Sequence, residues 1–276
     1  MKHKIFLSLT ALLLLLEACS QSNKTVWETP PLLKVPESAF YDAHSKRIYV
    51  SNINGKPAAK DHNGFVSVLD TKGNIVNLEW VTGLNAPKGI AKHNNKLFVT
   101  DIDRVAEVDI LKGKISKFYH VDGASFLNDI VCDKRGNIFI SDSDKGVVFK
   151  LDTNGRPSIW CKDKILIGAN GLAIKNNKLL VGTYNGIAEI DIRTKKRSLV
   201  IKHKGMIDGL IPAGKDKYIV SDWEGKVEIL QKGKKPEILL NNINAKINAA
   251  DLGFIPDRKI ILIPTFFDNR VIAIKM

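Results

Sequence analysis

The chain has 276 residues and a formal net charge of +13, from 42 lysines and arginines against 29 acidic residues. That length suits one large domain. The lysines are scattered along the whole chain, with no interleaved aromatic residues and no basic helix. The charge therefore describes a solvated surface and argues against a nucleic-acid partner.

The N-terminus opens on a basic Met1 to Lys4, followed by an apolar run from Ile5 to Leu16. The run is too short to cross a bilayer and suits the hydrophobic stretch of a secretory signal. It ends in Leu16-Glu17-Ala18-Cys19, which resembles a bacterial lipoprotein box. Residues 1–18 are then a leader, Cys19 receives a lipid, and the mature protein sits at the cell envelope, held to the membrane through that lipid. Glu17 is an unusual occupant of such a box, and an ordinary secretory signal with an incidental cysteine is the alternative. Residues 19–24 form a polar tether.

From Thr25 onward the sequence predicts strands and turns only. TVWETPPLL is extended and interrupted by Pro30-Pro31. Asn-Gly and Asn-Asn pairs then recur between β-branched and aromatic runs such as KLFVT, NIFISD, KLLVGT and KYIVSD. Asparagine and glycine supply the positive φ of tight hairpins, and no long window has helical periodicity. Six first strands open as PESAFYD, APKGIAK, FLNDIVC, GANGLAI, MIDGLIP and NAADLGF. Each is followed by a second strand ending in small or acidic residues, such as Ser51-Asn52, Thr100-Asp101 and Ser141-Asp142. The period of roughly 40–50 residues is that of four-stranded propeller blades. The last repeat supplies only three strands, and the segment from Thr25 to Leu33 is available as the fourth. Residues 25–276 are therefore expected to form a monomeric, all-β, six-bladed β-propeller whose ring is closed by the N-terminal strand.

Cys132 and Cys161 fall on the first and last strands of the third blade. Strands three places apart lie roughly 14 Å from one another, beyond the reach of a disulfide. Both are read as small apolar residues. Asp101, Asp142 and Asp222, at second-strand ends, are expected to bond loop amides.

A propeller stacks equivalent positions around one channel. The residues opening the first strands, Glu37, Lys88, Asn128, Asn170, Asp208 and Asp251, are expected to form a ring. Carboxylate and amide oxygens in that number suit a hard cation such as calcium. Asn170-Gly and Asp208-Gly are also ordinary turn dipeptides, so each has a plain local reading as well. Three carboxylates against Lys88 leave two negative charges, which one divalent ion would balance. On that count Lys88 is expected to pair with Asp251 and to face the substrate.

PES, LNDIVCDKRGN, ANGLAI and IDGL, in that order, resemble the senescence marker protein/gluconolactonase/regucalcin-like superfamily of six-bladed propellers. The resemblance covers the chain from about Pro36 onward. It implies Ca2+, or another divalent metal, held by Glu37, Asn128, Asn170 and Asp208. It also implies hydrolysis of lactones or related esters, with Asp208 as a catalytic group. Lys88 and Phe126 depart from the family pattern; from their places at the ring, Lys88 is expected as a second catalytic group, and Phe126 and Asp251 are expected to face a small-molecule substrate. Members acting on sugar lactones carry an arginine where this chain has Phe126, so a sugar lactone is not the expected substrate. APKGIA and GNIFISDS also resemble NHL repeats. That makes a non-catalytic propeller binding a protein, glycan or small ligand the competing expectation.

Overall fold

The computed structural model describes residues 25–276; the expected leader, Cys19 and the expected tether lie outside them. Six four-stranded antiparallel sheets follow one another in a closed ring. Blade one comprises Pro36–Asp42, Arg47–Asn52, Gly64–Leu69 and Ile75–Leu84. Blade two comprises Pro87–His93, Lys96–Asp101, Arg104–Asp109 and Lys114–His120, and blade three Leu127–Cys132, Ile138–Asp142, Val147–Leu151 and Pro157–Lys162. Blade four is built of Leu172–Lys175, Lys178–Thr183, Gly186–Asp191 and Arg197–Lys202, and blade five of Leu210–Pro212, Lys217–Ser221, Lys226–Gln231 and Glu237–Asn241. Blade six takes Gly253–Ile255, Ile260–Pro264 and Val271–Lys275 from the C-terminus and Thr25–Glu28 from the N-terminus.

The closing strand is shorter than the extended segment in the sequence, because the Pro30-Pro31 pair turns the chain after Glu28. It pairs antiparallel with the last strand through Thr25↔Ile274, Trp27↔Ala273 and Glu28↔Ile272. Trp27 anchors it: the indole N–H donates to Thr71 O at 3.1 Å, and the ring packs with Leu33, Ala39 and Ile48. Replacing Trp27 by Ala removes that packing and one hydrogen bond. Urea unfolding should show a loss of about 2 kcal/mol. A variant as stable as the wild type would mean that this strand contributes little to ring closure.

Alternating strand residues fill the spaces between sheets. Phe139, Val148 and Trp160 of blade three pack against Leu172, Leu179 and Val181 of blade four. Turns carry the expected chemistry. Asp70 accepts from the amides of Lys72 and Asn74, and Asp133 from those of Arg135 and Asn137. Cys132 and Cys161 lie on opposite edges of blade three, and both are free thiols.

The innermost strands are irregular where they begin. In blades one, two and three the register shifts between Pro36 and Ala39, Pro87 and Ile90, and Leu127 and Ile130. A bulge of this kind breaks strict alternation, so two successive residues, such as Glu37 and Ser38, both reach the channel. Second-strand hydroxyls take up the backbone groups left unpaired. Ser51 Oγ accepts from Ser38 N at 3.0 Å, Ser141 Oγ from Asp129 N at 2.9 Å, and Ser221 Oγ from Gly209 N at 2.7 Å. This is the physical reason for the small residues that end those strands.

Candidate functional site

The paired residues form two layers along the channel. Asn170 N donates to Gly182 O, Asp208 N to Ser221 O and Ala250 N to Pro264 O. These bonds define the first layer as Glu37, Lys88, Asn128, Asn170, Asp208 and Ala250. The second layer is Ser38, Gly89, Asp129, Gly171, Gly209 and Asp251. Two expectations are corrected by this register. Asp251 is one residue further along than its proposed partners, and Asp129 brings a fourth acid into the channel.

The first layer, apart from Ala250, lines a cavity of about 450 Å³ whose walls include Ile53, Pro57, Phe126, Trp223, Phe266 and Phe267. Ser38, Asp129 and Asp251 instead line a cavity of about 370 Å³ at the other end, among Tyr41, Lys92, Cys132 and Phe254. The layers touch: Asp251 N donates to Glu37 O at 3.0 Å.

The buried side chains differ in how far their polar atoms are satisfied. Asn170 Nδ2 donates to Asp208 Oδ1 at 2.6 Å, which leaves Asn170 Oδ1 buried without a partner. Glu37 Oε2 is likewise buried and unpartnered. Asn128 Nδ2 donates to Ser143 Oγ at 3.2 Å. Asp129 accepts from the amides of Ile130 at 2.6 Å and Leu172 at 2.5 Å, the latter from the next blade. Asp251 Oδ2 accepts from Ser38 Oγ at 2.6 Å.

Lys88 does not pair with Asp251. Its ammonium donates to Pro57 O at 2.9 Å and Ala86 O at 3.2 Å, and it lies 4.2 Å from the centre of the Phe126 ring. The wall holds it, and among the described residues it makes no ion pair. Phe126 thus stands beneath a cation as well as beside the cavity.

Burial dominates the electrostatics. It raises the Glu37 carboxyl well above the usual range, and the charges of Asp208 and Asp251 raise it further against the opposing pull of Lys88. Burial and Asp251 likewise raise Asp129. Asp208 is pushed up to about 7 by burial and then by Asp251, and Asp251 to about 7 by burial. Burial lowers the Lys88 ammonium, while Glu37, Asp101 and Asp144 oppose that shift. Four acids against one lysine exceed the charge of one divalent ion, so the balance expected from three acids does not hold for the whole cluster.

The donors of the first layer have the chemistry of a hard-cation site: carboxylate and amide oxygens, with no sulfur or imidazole. Two of these oxygens, on Glu37 and Asn170, are buried without any hydrogen-bond donor, which is the state a cation relieves. The residues therefore fit such an ion. Among the described residues no three histidine, cysteine, aspartate or glutamate side chains form a metal-holding group by themselves, so the amides would have to take part.

The strand-end acids hold loops. Asp101 Oδ1 accepts from Asn85 N at 2.9 Å and Ala86 N at 2.8 Å, and Asp142 Oδ2 from Ser125 N at 2.8 Å. Asp222 Oδ1 accepts from Gly225 N at 3.0 Å and Lys226 N at 2.8 Å. The first two of these loops lead directly to Lys88 and Asn128. Sequence reasoning missed Asp129, Trp223, Phe266 and Phe267. The signal for Asp129 was two adjacent polar residues at a strand start. For the aromatic residues it was their place just after the small or acidic residue that ends a second strand.

The sequence matches no protein-family model and no curated protein. The fold is similar to solved six-bladed propellers. A streptogramin B lyase superposes with a TM-score of 0.62 at 11% identity, over 88% of this chain and 93% of that one. A propeller from a nidogen/laminin complex gives 0.65 at 16%, over 80% and 84%. A catalytically inactive virginiamycin B lyase of Staphylococcus aureus with quinupristin gives 0.56 at 14%, over 87% and 94%. These likenesses establish the propeller fold, without singling out the gluconolactonase-like superfamily.

Proposed function

We propose that the protein is an envelope-anchored hydrolase of lactones or related esters that uses a divalent cation at the floor of the first-layer cavity. The observation that carries this reading is the pair of buried, unpartnered oxygens, Glu37 Oε2 and Asn170 Oδ1, in one cavity with Asp208 and Asn128. An apolar wall above a floor of convergent polar groups is the usual build of a small-molecule site.

In this reading Glu37, Asn128, Asn170 and Asp208 hold a calcium ion or similar metal. The bound cation would polarise a carbonyl oxygen and stabilise negative charge developing there. Asn170 fixes the Asp208 carboxylate through their hydrogen bond and so aims it at the cavity, where it can take a proton from water. Lys88, fixed by two carbonyls, presents a positive charge to the acyl or leaving-group oxygen. Phe126, against Lys88, and the apolar wall exclude water from the cavity.

The lipid at Cys19 would set the propeller on a short tether at the membrane. The test is a calcium titration by calorimetry on the mature chain, followed by a lactone and aryl-ester screen with and without EDTA. The expected result is saturable calcium binding and EDTA-sensitive hydrolysis, both lost in Glu37→Gln. Calcium binding without turnover of any ester would favour the second reading, a propeller that binds its ligand only. Lys88 and Ala250 favour that reading, because two of the six ring positions supply no oxygen.

A further inference from the structure

The first-layer cavity is lined both by polar ring residues and by a group of aromatic rings. Trp223 and Phe266 meet at 5.5 Å between centroids, Trp223 and Phe267 at 6.2 Å, and Phe266 and Phe267 at 4.8 Å, all close to edge-on. Blade six makes room for them. It places Ala250 where the other blades place a polar side chain, and Phe266 packs over that methyl group together with Ile53 and Ile102.

The wall is held under strain. Trp223 has φ 61° and Phe266 φ 50°. Bulky residues rarely adopt that left-handed region, and such outliers persist where surrounding contacts over-determine them, often at ligand sites. Phe267 is 61% exposed and Tyr184 51% exposed at the same mouth, so the apolar surface reaches solvent.

Lys88, on the first strand of blade two, lines the same cavity. Two of its N–H groups are taken by Pro57 O and Ala86 O, and no oxygen among the described residues takes the third. A buried ammonium without an ion-pair partner favours an anionic or strongly polar oxygen brought by a ligand. The aromatic wall offers no hydrogen-bonding partners apart from the indole N–H, so a polyhydroxylated ligand would lose its hydration there without replacement. A flat ring would bury apolar area against the edges of Trp223 and Phe267 at low entropic cost.

We infer that this cavity takes a small aryl-acyl ligand: an aromatic ring set against Trp223, Phe266 and Phe267, joined by a short chain to a carboxylate, ester or lactone oxygen at Lys88. The inference names the substrate class of the proposed hydrolase and rests on that reading for turnover, although binding can be measured without it. The probes are 3-phenylpropanoate, which carries both features, and gluconate, which carries the carboxylate on a polyhydroxylated chain. Both are titrated calorimetrically into the mature chain, with calcium and again with EDTA.

3-Phenylpropanoate should bind at least about tenfold tighter than gluconate. Phe267→Ala and Lys88→Met should each weaken it about tenfold, the scale of one aromatic contact or one charge-assisted hydrogen bond. Phe267 is exposed but meets Trp223 and Phe266 edge-on, so that variant should melt within a few degrees of wild type and stay folded in the binding assay. Equal or tighter gluconate binding, or an unchanged affinity in Phe267→Ala, would overturn the inference. Tight 3-phenylpropanoate binding without calcium binding or hydrolysis would sink the hydrolase reading and leave this one standing. Calcium-dependent hydrolysis of aliphatic lactones without 3-phenylpropanoate binding would do the reverse.

Discussion

In EDTA the protein should lose stability as pH rises from about 5 to 8, and Asp208→Asn should recover much of the loss. The cause is buried like charge. Glu37, Asp129, Asp208 and Asp251 are buried together with Lys88 as their one cationic neighbour in the two layers. Folding raises Asp208 and Asp251 to about 7 from an ordinary value of 3.8. A carboxyl with a raised folded pKa binds its proton more tightly in the native state. Its contribution is therefore fully present below about pH 4 and is lost as pH climbs through about 7. One pKa unit is worth about 1.4 kcal/mol, so ionising this cluster costs on the order of a few kcal/mol.

Other acids pull the opposite way at low pH. Asp42, held down by hydrogen bonds to Lys92 and Ser45 against the cost of its burial, loses its contribution as pH falls below the usual carboxylate range. The metal-free melting temperature should therefore peak at mildly acidic pH. Asp208→Asn removes one charge and keeps the oxygen that accepts from Asn170. Thermal unfolding in EDTA at about pH 8 should show the variant melting several degrees above wild type. Millimolar calcium should raise the wild type and leave the variant nearly unmoved. If the wild-type melting temperature is flat or rising from about pH 5 to 8 in EDTA, the four acids are not the electrostatic burden described.

Most of the ring was legible in the sequence because a repeated fold repeats its local chemistry. Glu37, Lys88, Asn128, Asn170 and Asp208 each follow a strand-opening signal, and the structure gathers all five around one cavity. Blade six broke the pattern. Two alanines precede Asp251, and alignment by residue type selected the acid, whereas the bond from Ala250 N to Pro264 O places the methyl in the ring. A one-residue slip moves a side chain to the other layer. Asp129 was hidden for a related reason. Alternation assigns one of two neighbours to the channel, and the bulge between Leu127 and Ile130 sends both there. One partner of Lys88, Pro57 O, lies 31 residues earlier in a loop of blade one, which no strand pattern reveals. Likewise the aromatic wall is assembled from loops of blades five and six.

The same geometry makes the spaces between inner strands narrow, and Gly253→Ala should be among the most damaging single methyls in the chain. A Cβ at Gly253 would stand 1.9 Å from Ala39 O, a backbone atom of the inner strand in blade one. Neither atom is the end of a flexible side chain, so relief requires blades six and one to part. Blade one meets blade six at the point where the ring closes. There Asp251 N donates to Glu37 O, and Ser38 Oγ donates to Asp251. Overpacking in a rigid core costs about 1–3 kcal/mol, and more where backbone cannot shift. Gly83→Ala is the control: that glycine has φ 86°, so its substitution is strained, yet a Cβ there meets nothing within 4 Å. Denaturant unfolding should rank Gly253→Ala well below Gly83→Ala, with the former near or beyond the limit of soluble expression. Calcium should no longer protect whatever Gly253→Ala protein folds, because parting the blades displaces Glu37 from Asn170 and Asp208. A Gly253→Ala protein as stable as wild type, with intact calcium protection, would show that the blades can separate without disturbing the site.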